Sequence, residues 1–173
     1  PLSEQNTVKR IAMAKVIAKA SGVNGMCAGQ SIDLITTGSE ISLAQLTQLH
    51  QLKTGALLSA CVSLGAILAT DICAEHIQLL HEYAGSIGLA FQVRDDILDV
   101  VSDSETLGKP QGSDTALNKN TFVSHLGLEG SQRYLQKLHD EALQAIATLT
   151  YNCLLYTTDA PNWAESITRT LTP

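Results

Sequence analysis

Apolar residues recur at three- and four-residue steps along most of the chain, and short polar clusters mark where that period resets. Residues 4 to about 20 predict a helix with Val8, Ile11, Ala12 and Ile17 facing inward. In residues 21–34, Gly22, Gly25 and Gly29 recur at helical spacing although each costs about 1 kcal/mol in a helix relative to alanine. Either this segment is a loop, or a smooth glycine face lets another helix or a ligand approach; the helix is the preferred reading, with Gln30 and Asp33 on the same face. Residues 36–40 form a loop. Ser42 with Gln45 is a capping-box signature that starts a helix running to about Leu68. Its expected buried line is Leu46, Leu49, Lys53, Leu57, Ala60, Leu64 and Ile67.

Asp71 can cap a further helix from Ile72 to about Ser102, which at about 1.5 Å per residue would be roughly 45 Å long. That length belongs to a large bundle. A polar loop spans 102–113, a short helix runs from Thr121 to about Leu126, and Gly127 and Gly130 break it. Ser131 to Leu149 predicts a last helix with Leu135, Leu138, Ala142, Ala145 and Leu149 inward, and beyond it the period fails. Hydrophobic content is 45%, mostly Leu, Ala and Ile, the composition of packed helices.

Composition narrows the function classes. A net charge of −6 over 173 residues and 4% aromatics argue against nucleic-acid or anionic-membrane binding. No 18-residue apolar run is evident, so no membrane span is expected. Residues 1–20 carry five charged side chains and no apolar leader core, and the opening Pro1-Leu2-Ser3 suggests a chain that begins inside a larger one. Four cysteines show no metal spacing; Cys27, Cys61 and Cys73 lie in apolar helical stretches, where buried, reduced thiols are expected. His76 and His81, five apart, give a zinc site little support.

The chemistry concentrates in Phe91–Asp99. Gln92, Asp95, Asp96 and Asp99 fall on one face of an otherwise apolar helix. Clustered carboxylates repel unless a cation sits among them, and hard dications favour carboxylate oxygen, so the pattern reads as a magnesium site or as a solvated acidic stripe. Lys53, inside an apolar line, either snorkels outward or meets an anion in a cavity. Lys109, between Gly108 and Pro110, suits a cation folded back over a ligand, and Lys119 follows; singly, each reads as surface charge.

Together GMCAGQSIDL (25–34), HQLKTGALL (50–58), GLAFQVRDDILDV (88–100), LGKPQGSD (107–114) and Asn118-Lys119 with Thr121 resemble, in order and spacing, the trans-isoprenyl diphosphate synthases of the bacterial and plastid farnesyl and geranylgeranyl type. The resemblance covers roughly residues 5–147. It implies an all-α class, the C-terminal portion of an isoprenoid-synthase helical bundle over 1–149, with antiparallel helices around a central cavity. The 150–173 tail departs from the pattern and reads like frame-shifted or vector-derived sequence. It implies head-to-tail condensation of an allylic diphosphate with isopentenyl diphosphate, with Mg2+, or Mn2+ in its place, as cofactor. Asp95 would bind one magnesium directly, Asp96 and Asp99 partly through water. Lys53 and Lys109 would hold diphosphate oxygens, with Lys119 near the same end. Thr54, Gln92 and the Lys53 carbonyl would face the allylic cation, and Gln30 and Asp33 would line the cavity.

The resemblance further implies a homodimer at full length, cytoplasmic in a bacterium or plastidial in a eukaryote. The pattern has one departure that bears on activity. Asp95-Asp96 is the one pair of adjacent aspartates, so the family's first aspartate-rich motif is absent, and with it the basic pocket for isopentenyl diphosphate. The isolated chain is therefore expected to be inactive. The alternatives are a non-catalytic partner subunit and, ranked last, a terpene cyclase of the same fold.

Overall fold

The computed structural model describes residues 4–69, 72–101 and 119–149. Among them every regular element is helical: α1 (Glu4–Ser21), α2 (Met26–Thr36), α3 (Leu43–His50), a π-helical turn (Gln51–Gly55), α4 (Ala56–Leu68), α5 (Ala74–Val101) and α6 (Phe122–Ile146). The expected all-α bundle is present in part. Asp71, the expected loop at 102–113 with Lys109, and residues 150–173 lie outside the described residues.

The capping box forms as expected: the Ser42 hydroxyl accepts from the Gln45 amide while the Gln45 side chain accepts from the Ser42 amide. A second box at Thr121 and Ser124 starts α6. Gly127, at φ 70°, kinks α6 at the expected place, whereas Gly130 stays inside the helix. α5 lies against α4, the π turn and α3 in turn. The pairs Ser59–His81 and Gly55–Gly88 step down one helix while stepping up the other, so α4 and α5 are antiparallel neighbours. The core sits where α3, α5 and α6 meet: Leu46, Leu89, Ala90, Val93, Ile97, Phe122, Leu135 and Leu138. The inner line of α6 is placed as expected, with Leu135, Leu138, Ala142 and Ala145 buried.

Five expectations need correction. Residues 22–25 form a turn between α1 and α2, because the chain doubles back so tightly that a Cβ on Gly25 would lie 2.0 Å from the Ala20 carbonyl oxygen. Val8, Ile11 and Ile17 are exposed, since α1 rests mainly on α4 and its remaining faces stay open. Leu57 is exposed on α4 for the same reason. Cys27, Cys61 and Cys73 are exposed thiols. Lastly, the rod Leu43–Leu68 is long and apolar enough to cross a membrane by length and composition, a property shared by the central helix of a bundle. Here it carries Lys53 and His50 and is flanked by α1, α2 and α5, the setting of a bundle helix.

Candidate functional site

The site is built around the π turn. A helix that widens from α to π for one turn shifts its hydrogen-bond ladder, a distortion often found at functional positions. The turn holds Lys53 and Thr54, both half-buried. Two helices reach it at backbone distance. A Cβ on Gly29 of α2 would lie 2.3 Å from the Lys53 amide nitrogen and 2.6 Å from its Cα. A Cβ on Gly88 of α5 would lie 3.3 Å from Gly55 Cα and 3.1 Å from Leu58 Cδ1. The glycine-rich faces are therefore helix-crossing surfaces, as the sequence suggested for Gly29.

That crossing brings Asp33, one turn beyond Gly29, to Lys53: Nζ lies 2.5 Å from Oδ2. The side chains keep 34% and 25% of their exposure, so solvent screens the pair and its contribution to stability is about 0–1 kcal/mol. Its value is placement: the ammonium is held at the π turn. One turn earlier stands His50, 8% exposed, its ring 5.6 Å from that of Phe122. Neither ring nitrogen has a hydrogen-bond partner. Burial lowers its pKa to about 4; Asp33 acts in the raising direction and Lys53 adds to the lowering.

On α5 the acidic face continues beyond Gly88. Gln92 and Asp95 are half-buried, whereas Asp96 and Asp99 are buried. Asp96 Oδ2 accepts the Phe122 amide at 2.7 Å, and its Oδ1 accepts Gln92 Nε2 at 3.4 Å. Asn120, just before α6, joins that corner to the α2–α3 connection. Its Oδ1 accepts the Ile41 amide at 3.2 Å, and its Nδ2 donates to the carbonyls of Ser39 at 2.8 Å and Thr36 at 3.4 Å. Among the described residues no three His, Cys, Asp or Glu side chains are grouped to hold a metal.

With this geometry in hand, the comparisons are decisive. The polyprenyl synthetase family profile matches residues 3–151. The chain belongs to the polyprenyl synthetase family. It is 48% identical over 145 residues to the farnesyl diphosphate synthase of Escherichia coli (strain K12), an alignment covering 84% of this chain and 48% of that protein. It is 44% identical over 131 residues to the chloroplastic geranylgeranyl pyrophosphate synthase of Capsicum annuum, covering 75% of this chain and 35% of that one. Among solved structures, the geranyltransferase of Helicobacter pylori complexed with magnesium and isoprenyl diphosphate superposes with a TM-score of 0.76 at 32% identity, covering 98% of this chain and 53% of that one. The chain thus spans about half the length of the curated relatives it matches.

In this polyprenyl synthetase chain the structure joins two pairs of the residues singled out in sequence, Asp33 with Lys53 and Gln92 with Asp96. Gln30 is exposed on α2, Lys119 is exposed ahead of α6, and Lys109 lies outside the described residues. Sequence reading missed His50 and Asn120. His50 could have been found, because Leu46, Leu49, His50 and Lys53 fall at i, i+3, i+4 and i+7, one helical face. Asn120 left no periodic signal; its three bonds depend on residues about 80 positions away.

Proposed function

We propose that this chain supplies the diphosphate-holding part of a prenyl diphosphate synthase site, with Lys53 as its central residue. The observation that carries this reading is the Lys53 ammonium, held at a π turn by Asp33 in a chain of this family. A diphosphate leaves carbon only if its growing negative charge is met by cations fixed in advance. Lys53 supplies such charge as a point cation, and the family pattern assigns Lys109 and Lys119 to the same diphosphate. In the reaction, the allylic carbon–oxygen bond breaks and its electron pair leaves with the diphosphate. The double bond of isopentenyl diphosphate then attacks the allylic carbon, and the resulting cation loses a proton to the departed diphosphate. Gln92, Thr54 and the Lys53 carbonyl would offer oxygen dipoles to the allylic cation, which survives only where water is kept away.

The donor set suits a hard dication through Asp95, whose half-buried carboxylate is engaged by no described residue. Asp96 and Asp99 lie behind it, buried, and add negative charge to the same face. Magnesium, when bound, would neutralise phosphate oxygens.

Calorimetric titration with geranyl diphosphate tests the proposal. The expected result is weak binding that magnesium strengthens. Lys53→Ala should weaken it about tenfold or more with or without metal, the size of a lost charge-assisted contact, and Asp95→Ala should remove the effect of magnesium. Elongation by isopentenyl diphosphate should be undetectable, because removing even one charge-stabilising donor costs about 10²–10³ in rate and here a whole motif is absent. Binding indifferent to Lys53→Ala would sink the reading. Ordinary turnover by the 173-residue chain would refute the expected inactivity.

A further inference from the structure

Asp95, Asp96 and Asp99 share one face of α5 in the sequence, but the structure gives them different surroundings. Both Asp96 oxygens are engaged: Oδ2 takes the buried Phe122 amide at 2.7 Å and Oδ1 takes Gln92 Nε2 at 3.4 Å. The side chain belongs to a residue only 4% exposed. Asp95, immediately before it, is more exposed and unengaged by described residues. We propose that Asp96 is a positioning residue, not a metal ligand: with Asn120 it ties the start of α6 to α5 and to the α2–α3 connection, and it fixes the orientation of the Gln92 amide.

Two pieces of chemistry support this. A carboxylate only accepts hydrogen bonds, so Gln92 can present only its NH2 to Asp96, and its carbonyl oxygen is the end left to meet a cation. The first amides of a helix have no intrahelical acceptor, and a carboxylate satisfies one of them while opposing the positive end of the helix dipole. Asn120, two residues earlier, bonds Ile41, Ser39 and Thr36, so residues 120–122 connect the helix bearing Asp33 with the helix bearing Gln92 and Asp95. This departs from the ligand role that the sequence pattern implies for Asp96. It rests on the proposed function only for what Gln92 and Asp95 do.

The test uses the isotopically labelled 173-residue chain and the variants Asp96→Ala, Asp96→Asn, Asn120→Ala and Asp95→Ala. Asp96→Ala should speed hydrogen exchange at the Phe122 amide about tenfold or more, as expected for a lost hydrogen bond to a charged group. Asp96→Asn should restore most of that protection, since one oxygen acceptor remains, yet both variants should shift the Gln92 side-chain amide resonances. A purely structural helix cap would not move Gln92. Asn120→Ala should speed exchange at Ile41. In a magnesium titration Asp95→Ala should cost about tenfold or more in affinity and Asp96→Asn less than about threefold, the difference between losing a ligand and losing its neighbour. A tenfold loss with Asp96→Asn, or a Gln92 amide unmoved by it, would overturn the proposal. If the parent chain binds no magnesium, the functional reading fails, and the Phe122, Ile41 and Gln92 signals still decide the role of Asp96. Should Asp96→Ala not fold, Asp96→Asn gives the Gln92 answer alone.

Discussion

His50 shows what one buried residue costs this site. Neutral imidazole carries one N–H and one lone pair, and here neither is hydrogen-bonded although the residue is 8% exposed. Burial holds its folded pKa at about 4, below its ordinary 6.5. Between those values the unfolded chain takes up a proton that the folded chain refuses, so stability falls as pH drops from 6.5 and levels off below about 4. A shift of that size corresponds to roughly 3 kcal/mol across the window. His50→Leu keeps an apolar group beside Phe122 and removes the titration. The expected outcome is a flatter dependence of unfolding free energy between pH 6.5 and 5, measured by urea denaturation, with the variant no less stable than the parent at pH 5. Replacing an unsatisfied buried polar group by an apolar one of similar size is often neutral or stabilising. An unchanged slope would assign the acid sensitivity to the carboxylates instead.

Among the elements, the crossing of α2 over the π turn is the most exacting contact. With Lys53 backbone atoms 2.3–2.6 Å from where a Cβ on residue 29 would lie, Gly29→Ala cannot be relieved by a rotamer change; one helix must move. Overpacking of this kind costs about 1–3 kcal/mol, occasionally more, and here it should also part Asp33 from Lys53. Gly65→Ala and Gly85→Ala face open space on α4 and α5 and should instead stabilise by about 0.5–1 kcal/mol through helix propensity. Thermal unfolding of the three variants checks the contrast. The helices themselves were legible in the sequence because each is written in its own local period: the Ser42 cap, the α6 inner line and the break at Gly127 all appear where the pattern puts them. The π turn was not legible. Its residues continue the apolar repeat through Lys53, and the close approach of α2 and α5 at the turn is a tertiary feature that no local period records. The turn at residues 22–25 was misread for a related reason. Glycine at helical spacing signals close approach, but the approaching group at Gly25 is the chain's own Ala20 carbonyl, whereas at Gly29 it is another helix.

For the molecule as a whole, the same limit applied to burial. Periodicity placed Val8, Ile11 and Ile17 inward on α1, yet all three are exposed, and among the described residues α1 meets chiefly α4. Among the described residues the main buried cluster lies on α3, α5 and α6. Val8, Val23, Leu34 and Ile35 are 63%, 83%, 67% and 79% exposed, large apolar side chains spread over α1, the following turn and α2. The chain is about half the length of its relatives, so these are the surfaces that further helices of a complete bundle, or a second copy, are expected to cover. Exposed apolar area favours association where it is gathered into a patch, and a net charge of −6 opposes it only by long-range repulsion, which salt screens. The 173-residue chain should therefore self-associate at micromolar concentration, more strongly as salt is raised. Sedimentation velocity reads this directly. Replacing Leu34 and Ile35 together by glutamate should return it toward the monomer without changing helix content by circular dichroism, because neither side chain contributes to the core. A parent chain that stays monomeric in high salt would mean that these exposed apolar residues are tolerated singly by solvent and mark no interface.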